Sequence, residues 1–230
     1  MPENTTMLGE SIRKAFGDRA RRKRFASFRE FIRDLPKPVR ILDVGGREQF
    51  WITVGCTDPH EVQVTLLNLE TGSATLEGFS HVAGNACALS WATGSFDVVF
   101  SNSVIEHVGG PQQRAAMARE VMRVGRRWFI QTPNRWFPIE PHFLFPCFQF
   151  LPLELRARLA SWMPLCCAGR IRDLTEARRA VAEVELIGSS EMRRLFPGSQ
   201  VLKERAFGLT KSLTALGPLR KPTIGAPAEP

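Results

Sequence analysis

VRILDVGG, residues 39–46, is a short, largely apolar run that ends in two glycines. A half-buried strand would alternate apolar and polar residues. Here Val39, Ile41, Leu42 and Val44 fall on both sides of the chain, so the run reads as a strand covered on both faces. The pattern recurs in VQVTLLNLE (62–70), more weakly in HVAGNA (81–86), and again in SFDVVFSNS (95–103) and RRWFIQTPN (126–134), the last cut off by Pro133. Between the fourth and fifth runs, PQQRAAMAREVMRV (111–124) predicts a helix, with Pro111 near its start and Ala115, Ala118, Val121 and Met122 on one side. Buried runs separated by helical or looped segments predict an α/β fold built on a parallel sheet with helices on both faces. Farther along, SSEMRRLF (189–196) predicts a short serine-capped helix, and QVLKERAFG with LTKSLTALG (200–217) predicts two adjoining antiparallel strands.

The rest of the chain sets limits on this core. Its 230 residues, 43% hydrophobic and 23% charged, suit one globular domain and exclude a disordered or repetitive chain. No run reaches the roughly 18 apolar residues of a membrane span, and MPENTTMLGE has no apolar stretch of the signal-peptide kind, so the expected location is cytoplasmic. The five cysteines lack metal-ligand or redox spacing, and no metal site is expected. The net charge of +8 is concentrated in residues 11–40, where Lys and Arg dominate. Phe25, Phe28, Phe31, Ile32 and Leu35 recur there at helical steps until Pro36 and Pro38, which predicts a basic amphipathic helix packed on the domain with its arginines in solvent. Contact with an anionic surface, including the inner membrane face, stays open for this helix. The expected division is the helix at 1–38, the main domain at 39–217 with an apolar, proline-rich lid at 136–169, and a loose tail at 218–230.

In an open parallel sheet, ligands bind beyond the carboxyl ends of the strands. The residues there are Asp43, Gly45 and Gly46 after the first run, Asn68 and Glu70 at the second, Asn85 and Ala86 after the third, and Ser101 and Asn102 at the fourth. Glycines permit a sharp turn and close approach of the backbone to a ligand. Asn68 and Glu70 lie about 25 residues beyond Asp43, where a ribose hydroxyl acceptor would fall. His107 in VIEHV and His142 in IEPHF are the candidate bases, while Asn134 and Arg135 end the fifth run beneath the lid.

LDVGG, NLE, GNACALSWATGSFDVVFSNSVIEHV and VGRRWFIQTPN, in this order, resemble class I S-adenosylmethionine-dependent methyltransferases, with small-molecule and quinone methyltransferases among the relatives. The resemblance implies a Rossmann-like, seven-stranded sheet closed by an antiparallel hairpin, and S-adenosyl-L-methionine as cofactor. It implies further that Asp43 and Gly45 border the methionine part, that Asn68 or Glu70 holds the ribose, that Asn85 and Ala86 face the adenine, and that Ser101 and Asn102 line the floor. The glycine loop departs from the family's D-x-G-x-G-x-G, with Arg47 and Gln49 in glycine places. The implied activity is methyl transfer to a small, apolar or aromatic acceptor, with no obligate protein partner. The alternative is a degenerate relative that binds nucleic acid or an anionic membrane through its basic helix. A nicotinamide oxidoreductase ranks lower, because GGREQF lacks G-x-G-x-x-G.

Overall fold

A computed structural model describes residues 22–70, 72–163 and 170–218. The remainder of the predicted N-terminal helix, lid residues 164–169 with Cys166 and Cys167, and all but the first residue of the tail lie outside the described residues. Residues 22–32 form helix α1. There follow β1 (Val39–Val44), α2 (Glu48–Val54), β2 (Val62–Asn68), β3 (Phe79–Ala83), β4 (Phe96–Asn102), α3 (Pro111–Val124) and β5 (Gly125–Pro133). The chain continues through α4 (Leu153–Trp162), α5 (Leu174–Ala182), α6 (Ser189–Leu195), β6 (Gln200–Ala206) and β7 (Leu209–Gly217).

One seven-stranded sheet has the order β3-β2-β1-β4-β5-β7-β6. Strands β1 to β5 are parallel, whereas β7 runs antiparallel to both β5 and β6. The chain builds outward from β1 through β3 and then returns to place β4 on the other side of β1. That reversal makes the β1–β4 boundary the topological switch point, where the carboxyl ends leave a crevice.

Each face of the sheet has its own core. Ile41, Val64, Val98, Phe100 and Phe129 pack with Phe25, Phe28 and Ile32 of α1 and Trp51 of α2. Leu42, Val44, Val99 and Ile130 face Met117 and Val121 of α3 and Met192 of α6. The described part of α1 thus docks through its apolar stripe as its spacing predicts. Phe28 is fully buried, its ring 4.8 Å from Phe100 and 5.4 Å from Phe129, and burial of such a side chain contributes roughly 1.5–3 kcal/mol. Arg24 departs from the expectation that the helix leaves its arginines in solvent, since it turns inward to the sheet.

Other details differ from the sequence reading. The glycine loop leads into α2, a seven-residue helix whose short length hides its periodicity. Helix α6 begins at Ser189, so its cap position is Gly188 and no serine side chain caps it. Beyond β5, Phe143, Phe148, Ala157 and Ala160 share a small core with Ala177 and Val181 of α5, so the apolar segment outside the sheet continues past residue 169. Buried Arg114 of α3 ties this segment and α6 to the sheet through Glu185 at 2.6 Å and Glu191 at 2.9 Å.

Candidate functional site

At the tip of β1, Asp43 is 2% exposed and accepts a 2.8 Å hydrogen bond from Trp51 Nε1. Burial raises its carboxyl to about 7, with the Trp51 bond working against that rise. Beside it, Gly45 has φ 72°, and a Cβ there would lie 2.5 Å from Val104. A Cβ on Gly46 would lie 1.9 Å from Asp43 Oδ2. Both positions require glycine, although what crowds them in this structure is protein: Val104 and Asp43 themselves.

Several predicted cofactor contacts also have work to do inside the protein. Asn68 ends β2 and donates from Nδ2 to the Gly46 carbonyl at 3.0 Å, which fixes the turn of the glycine loop. Glu70 is exposed and lies beyond the end of β2, so the two-residue strand period that would align it with Asn68 does not extend to it. Asn85 is exposed, and its Oδ1 accepts from Cys87 N at 2.8 Å, while Ala86 is buried in the α3-side core. Ser101 is buried and donates to the Val44 carbonyl at 3.2 Å, joining the tips of β4 and β1. Asn102 accepts from Arg24. A cleft enclosing about 370 Å³ of atom-free space, partly open to solvent, lies between Leu67, Val82–Asn85 and Ala88–Trp91, beyond the ends of β2 and β3.

Arg24 is the contributor that sequence reasoning missed. It reaches across the carboxyl ends to Asn102 of β4, Gln131 of β5 at 3.3 Å and Glu204 of β6 at 3.0 Å. Burial works against charge on Glu204, but Arg24 and the Ser212 hydroxyl outweigh it and hold its carboxyl below the ordinary value. Asn134 is fastened to the Thr210 carbonyl at 2.8 Å, which gives it a structural task.

The two candidate bases, 35 residues apart, meet. His107 Nε2 and His142 Nε2 are 3.1 Å apart, and His142 Nδ1 is 2.6 Å from Glu140 Oε1. Glu140 is 2% exposed and is itself held by Phe143 N, which donates to Oε2 at 2.6 Å. Protein around its ring, and then His142, lower the His107 pKa. For His142 burial works in the same downward direction, but the hydrogen bond to Glu140 and the charges of Glu140 and Glu106 prevail and raise it. Glu106 is wholly buried, with Oε2 accepting from Thr132 at 2.9 Å and Oε1 unpartnered among the described residues. Burial raises its carboxyl to about 7.

In the lid, Phe143 and Phe148 stack at 4.6 Å inside its small core, whereas Trp136 is exposed and meets Phe150 at 5.6 Å. Cys56 is buried and Cys147 exposed, and both are free thiols. Among the described residues, no helix is long and apolar enough to cross a membrane.

The strand order defines a doubly wound α/β domain closed by an antiparallel hairpin. Residues 42–127 match the family model described as a methyltransferase domain. The matched stretch runs from β1 into β5 and includes motifs that carry the resemblance. An uncharacterized protein of Mycobacterium tuberculosis strain H37Rv is 40% identical over 53 residues, which is 23% of this chain and 18% of that relative's length. Among solved structures, PigF with SAH is similar at 15% identity and TM-score 0.48, over 81% of this chain and 59% of that one. The YcgJ protein of Bacillus subtilis is similar at 17% identity and TM-score 0.44, over 73% and 64%. These structural likenesses are too distant to add to what the strand order and the family match establish.

Proposed function

We propose that this protein is an S-adenosylmethionine-dependent methyltransferase acting on a small, apolar or aromatic acceptor. The observation that carries the reading is Asp43: a buried carboxyl with a pKa of about 7, at the switch point of a methyltransferase-family sheet, beside two positions that only glycine fits. A buried carboxylate without a cationic partner is costly, and a ligand bearing an ammonium group and a sulfonium would relieve that cost. The cleft beyond β2 and β3 offers Leu67, Trp91 and the Asn85 amide to an adenine ring, and Asn68 Oδ1 stays available to a ribose hydroxyl. The residues present therefore fit the cofactor.

When bound, S-adenosylmethionine supplies a methyl group on a cationic sulfur that departs as a neutral thioether once the acceptor's lone pair has taken the methyl. The chain's own task is to orient the two partners in line and to exclude water, which is where most of the acceleration of such a displacement arises. His107 and His142 form the acceptor side. His107, held neutral, offers a lone pair to the acceptor's proton, while His142 is oriented by Glu140. Trp136 and Phe150 give the lid an apolar surface on which such an acceptor would rest. Exposed Arg22, Lys23, Arg29 and Arg33 favour anionic surroundings in the cytoplasm or at the inner membrane face.

Isothermal titration of the whole protein with S-adenosylhomocysteine tests the premise. Saturable one-site binding is expected, weakened strongly by Asp43→Asn. A folded protein that gives no heat and no thermal shift with the ligand refutes the assignment and leaves the degenerate, anion-binding alternative.

A further inference from the structure

We infer that Glu106, His107 and His142 form a binding site for a divalent transition-metal ion of the zinc type, open on one side to an acceptor hydroxyl. A carboxylate oxygen of Glu106 and one ring nitrogen of each histidine all lie within 4.8 Å of one another. The two Nε2 atoms are 3.1 Å apart, and two nitrogens bound tetrahedrally to one zinc ion stand roughly 3.3 Å apart. The histidine pair is therefore already spaced for a shared ion, and closing the site requires only a small inward movement of the carboxylate.

Two further observations point to a ligand. Glu106 is wholly buried, yet its Oε1 has no hydrogen-bond partner among the described residues, and burying a polar atom in that way is costly unless something binds it. His142 Nδ1 lies 2.6 Å from Glu140, itself fixed by the Phe143 amide. A ring N–H given to a carboxylate leaves the lone pair on Nε2, the atom that faces His107 Nε2, which is how outer carboxylates orient metal-binding histidines. Thr132 does the same for Glu106 through Oε2. Glu106 is buried, His142 half-buried and His107 exposed, so the site has a closed floor and an entrance.

The donor set matters for the choice of ion. Two imidazoles and one carboxylate suit zinc, manganese, iron or cobalt better than magnesium or calcium, which prefer all-oxygen surroundings. Three protein ligands leave a position open, as in catalytic zinc sites. An acceptor hydroxyl in that position would be acidified by the ion and lose its proton to solvent, so that the ion takes over the work of the His107 lone pair. This role in selecting hydroxyl acceptors rests on the methyltransferase reading, whereas the site itself rests on the three side chains.

The test uses full-length protein stripped with a chelator and titrated with Zn²⁺ by calorimetry, with Co²⁺ as a spectroscopic stand-in. One equivalent should bind, with cobalt ligand-field bands and no thiolate charge-transfer band. His142→Ala should weaken binding by at least about 100-fold, and Glu140→Gln by about 10- to 100-fold, as outer partners do. S-adenosylhomocysteine titrated into the same samples separates the two readings. If the ligand binds and zinc does not, the metal inference fails alone; if zinc binds and the ligand does not, the methyltransferase reading fails and the site stands. Undiminished zinc binding in His142→Ala, or a thiolate band, places the ion on a cysteine and overturns the inference.

Discussion

Replacing Asp43 with asparagine tests whether the tip of β1 keeps a binding group at the expense of stability. The carboxyl is fully buried, and its pKa rises from an ordinary 3.8 to about 7 in the folded protein. Well below its ordinary 3.8 it is protonated in folded and unfolded chains alike, and its contribution to stability is complete. As pH rises toward 7 the unfolded chain releases a proton that the folded chain retains, so stability falls, and it levels off once the folded group ionises as well. A displacement of that size corresponds to about 4 kcal/mol over the whole range, of which roughly 3 kcal/mol falls between about pH 4.5 and pH 8. Asparagine keeps an oxygen for the Trp51 bond but does not titrate. The stability of Asp43→Asn minus that of the wild type should therefore increase by roughly 3 kcal/mol between those pH values, as measured by urea unfolding of the ligand-free protein. The cost of burying an amide is the same at each pH and cancels from the difference. Glu106, whose carboxyl also stands at about 7, is present in both proteins and cancels as well. A difference that stays flat within about 0.5 kcal/mol would show that Asp43 is compensated by a charge or by water, and the argument from an unpaired carboxylate would fall.

Three other outcomes are expected. His107→Gln should lower turnover by about 100-fold or more with S-adenosylhomocysteine affinity nearly unchanged, and a loss below about threefold would mean the ring only supports the lid. Gly46→Ala should lower the melting temperature and the cofactor affinity together, because its Cβ meets Asp43 at 1.9 Å, whereas Gly110→Ala, with its nearest neighbour at 3.6 Å, should be nearly neutral in both. Arg24→Ala should cost about 1–3 kcal/mol at neutral pH, since Glu204 loses its charged partner. Because the partnered Glu204 carboxyl lies below its ordinary value, that loss should shrink as the medium is acidified through the carboxylate range, and a loss independent of pH would mean the ion pair adds nothing.

The strands were legible because each is a local apolar run. Most carry a cluster of buried Val, Ile, Leu, Phe or Trp, and the runs at 39, 62, 95 and 126 begin within one residue of the observed strands. The third run was misplaced by two residues, since Phe79 and Ser80 open β3 within a polar neighbourhood. Helix α3 was legible from Pro111 and its periodicity over 14 residues. Helix α6 was legible at 189–196 apart from its cap, whereas α2, of seven residues, completes too few turns to display a period, and α4 and α5 pack chiefly on each other, which blurs the contrast between their faces. At the site, chain position beyond a strand singled out Asp43, the glycines, His107 and His142 as candidates, but did not show that the two histidines meet at 3.1 Å. It did not distinguish a side chain that faces the crevice from one that binds its own backbone, as Ser101 and Asn68 do.

What no local pattern carries is the closing of the crevice from outside the sheet. Arg24 sits in a basic run where charge counting assigns every arginine to solvent, yet it is next to Phe25, on the edge of the stripe that docks α1. Once Phe25 and Phe28 are buried, the helix has no freedom to turn Arg24 away from the carboxyl ends. Its partners lie 78, 107 and 180 residues along the chain, on three different strands, and two of them have a second donor, Ser103 for Gln131 and Ser212 for Glu204. An arginine serves here because its planar fork can meet several oxygens at once, which the single ammonium of a lysine cannot do in the same geometry. The apolar stripe therefore does two jobs with one contact: it covers the β1–β4–β5 face, and it sets a cation over the strand tips. Arg22, Lys23, Arg29 and Arg33 of the same helix stay exposed, so one stripe both holds Arg24 at the strand tips and leaves its basic neighbours in solvent.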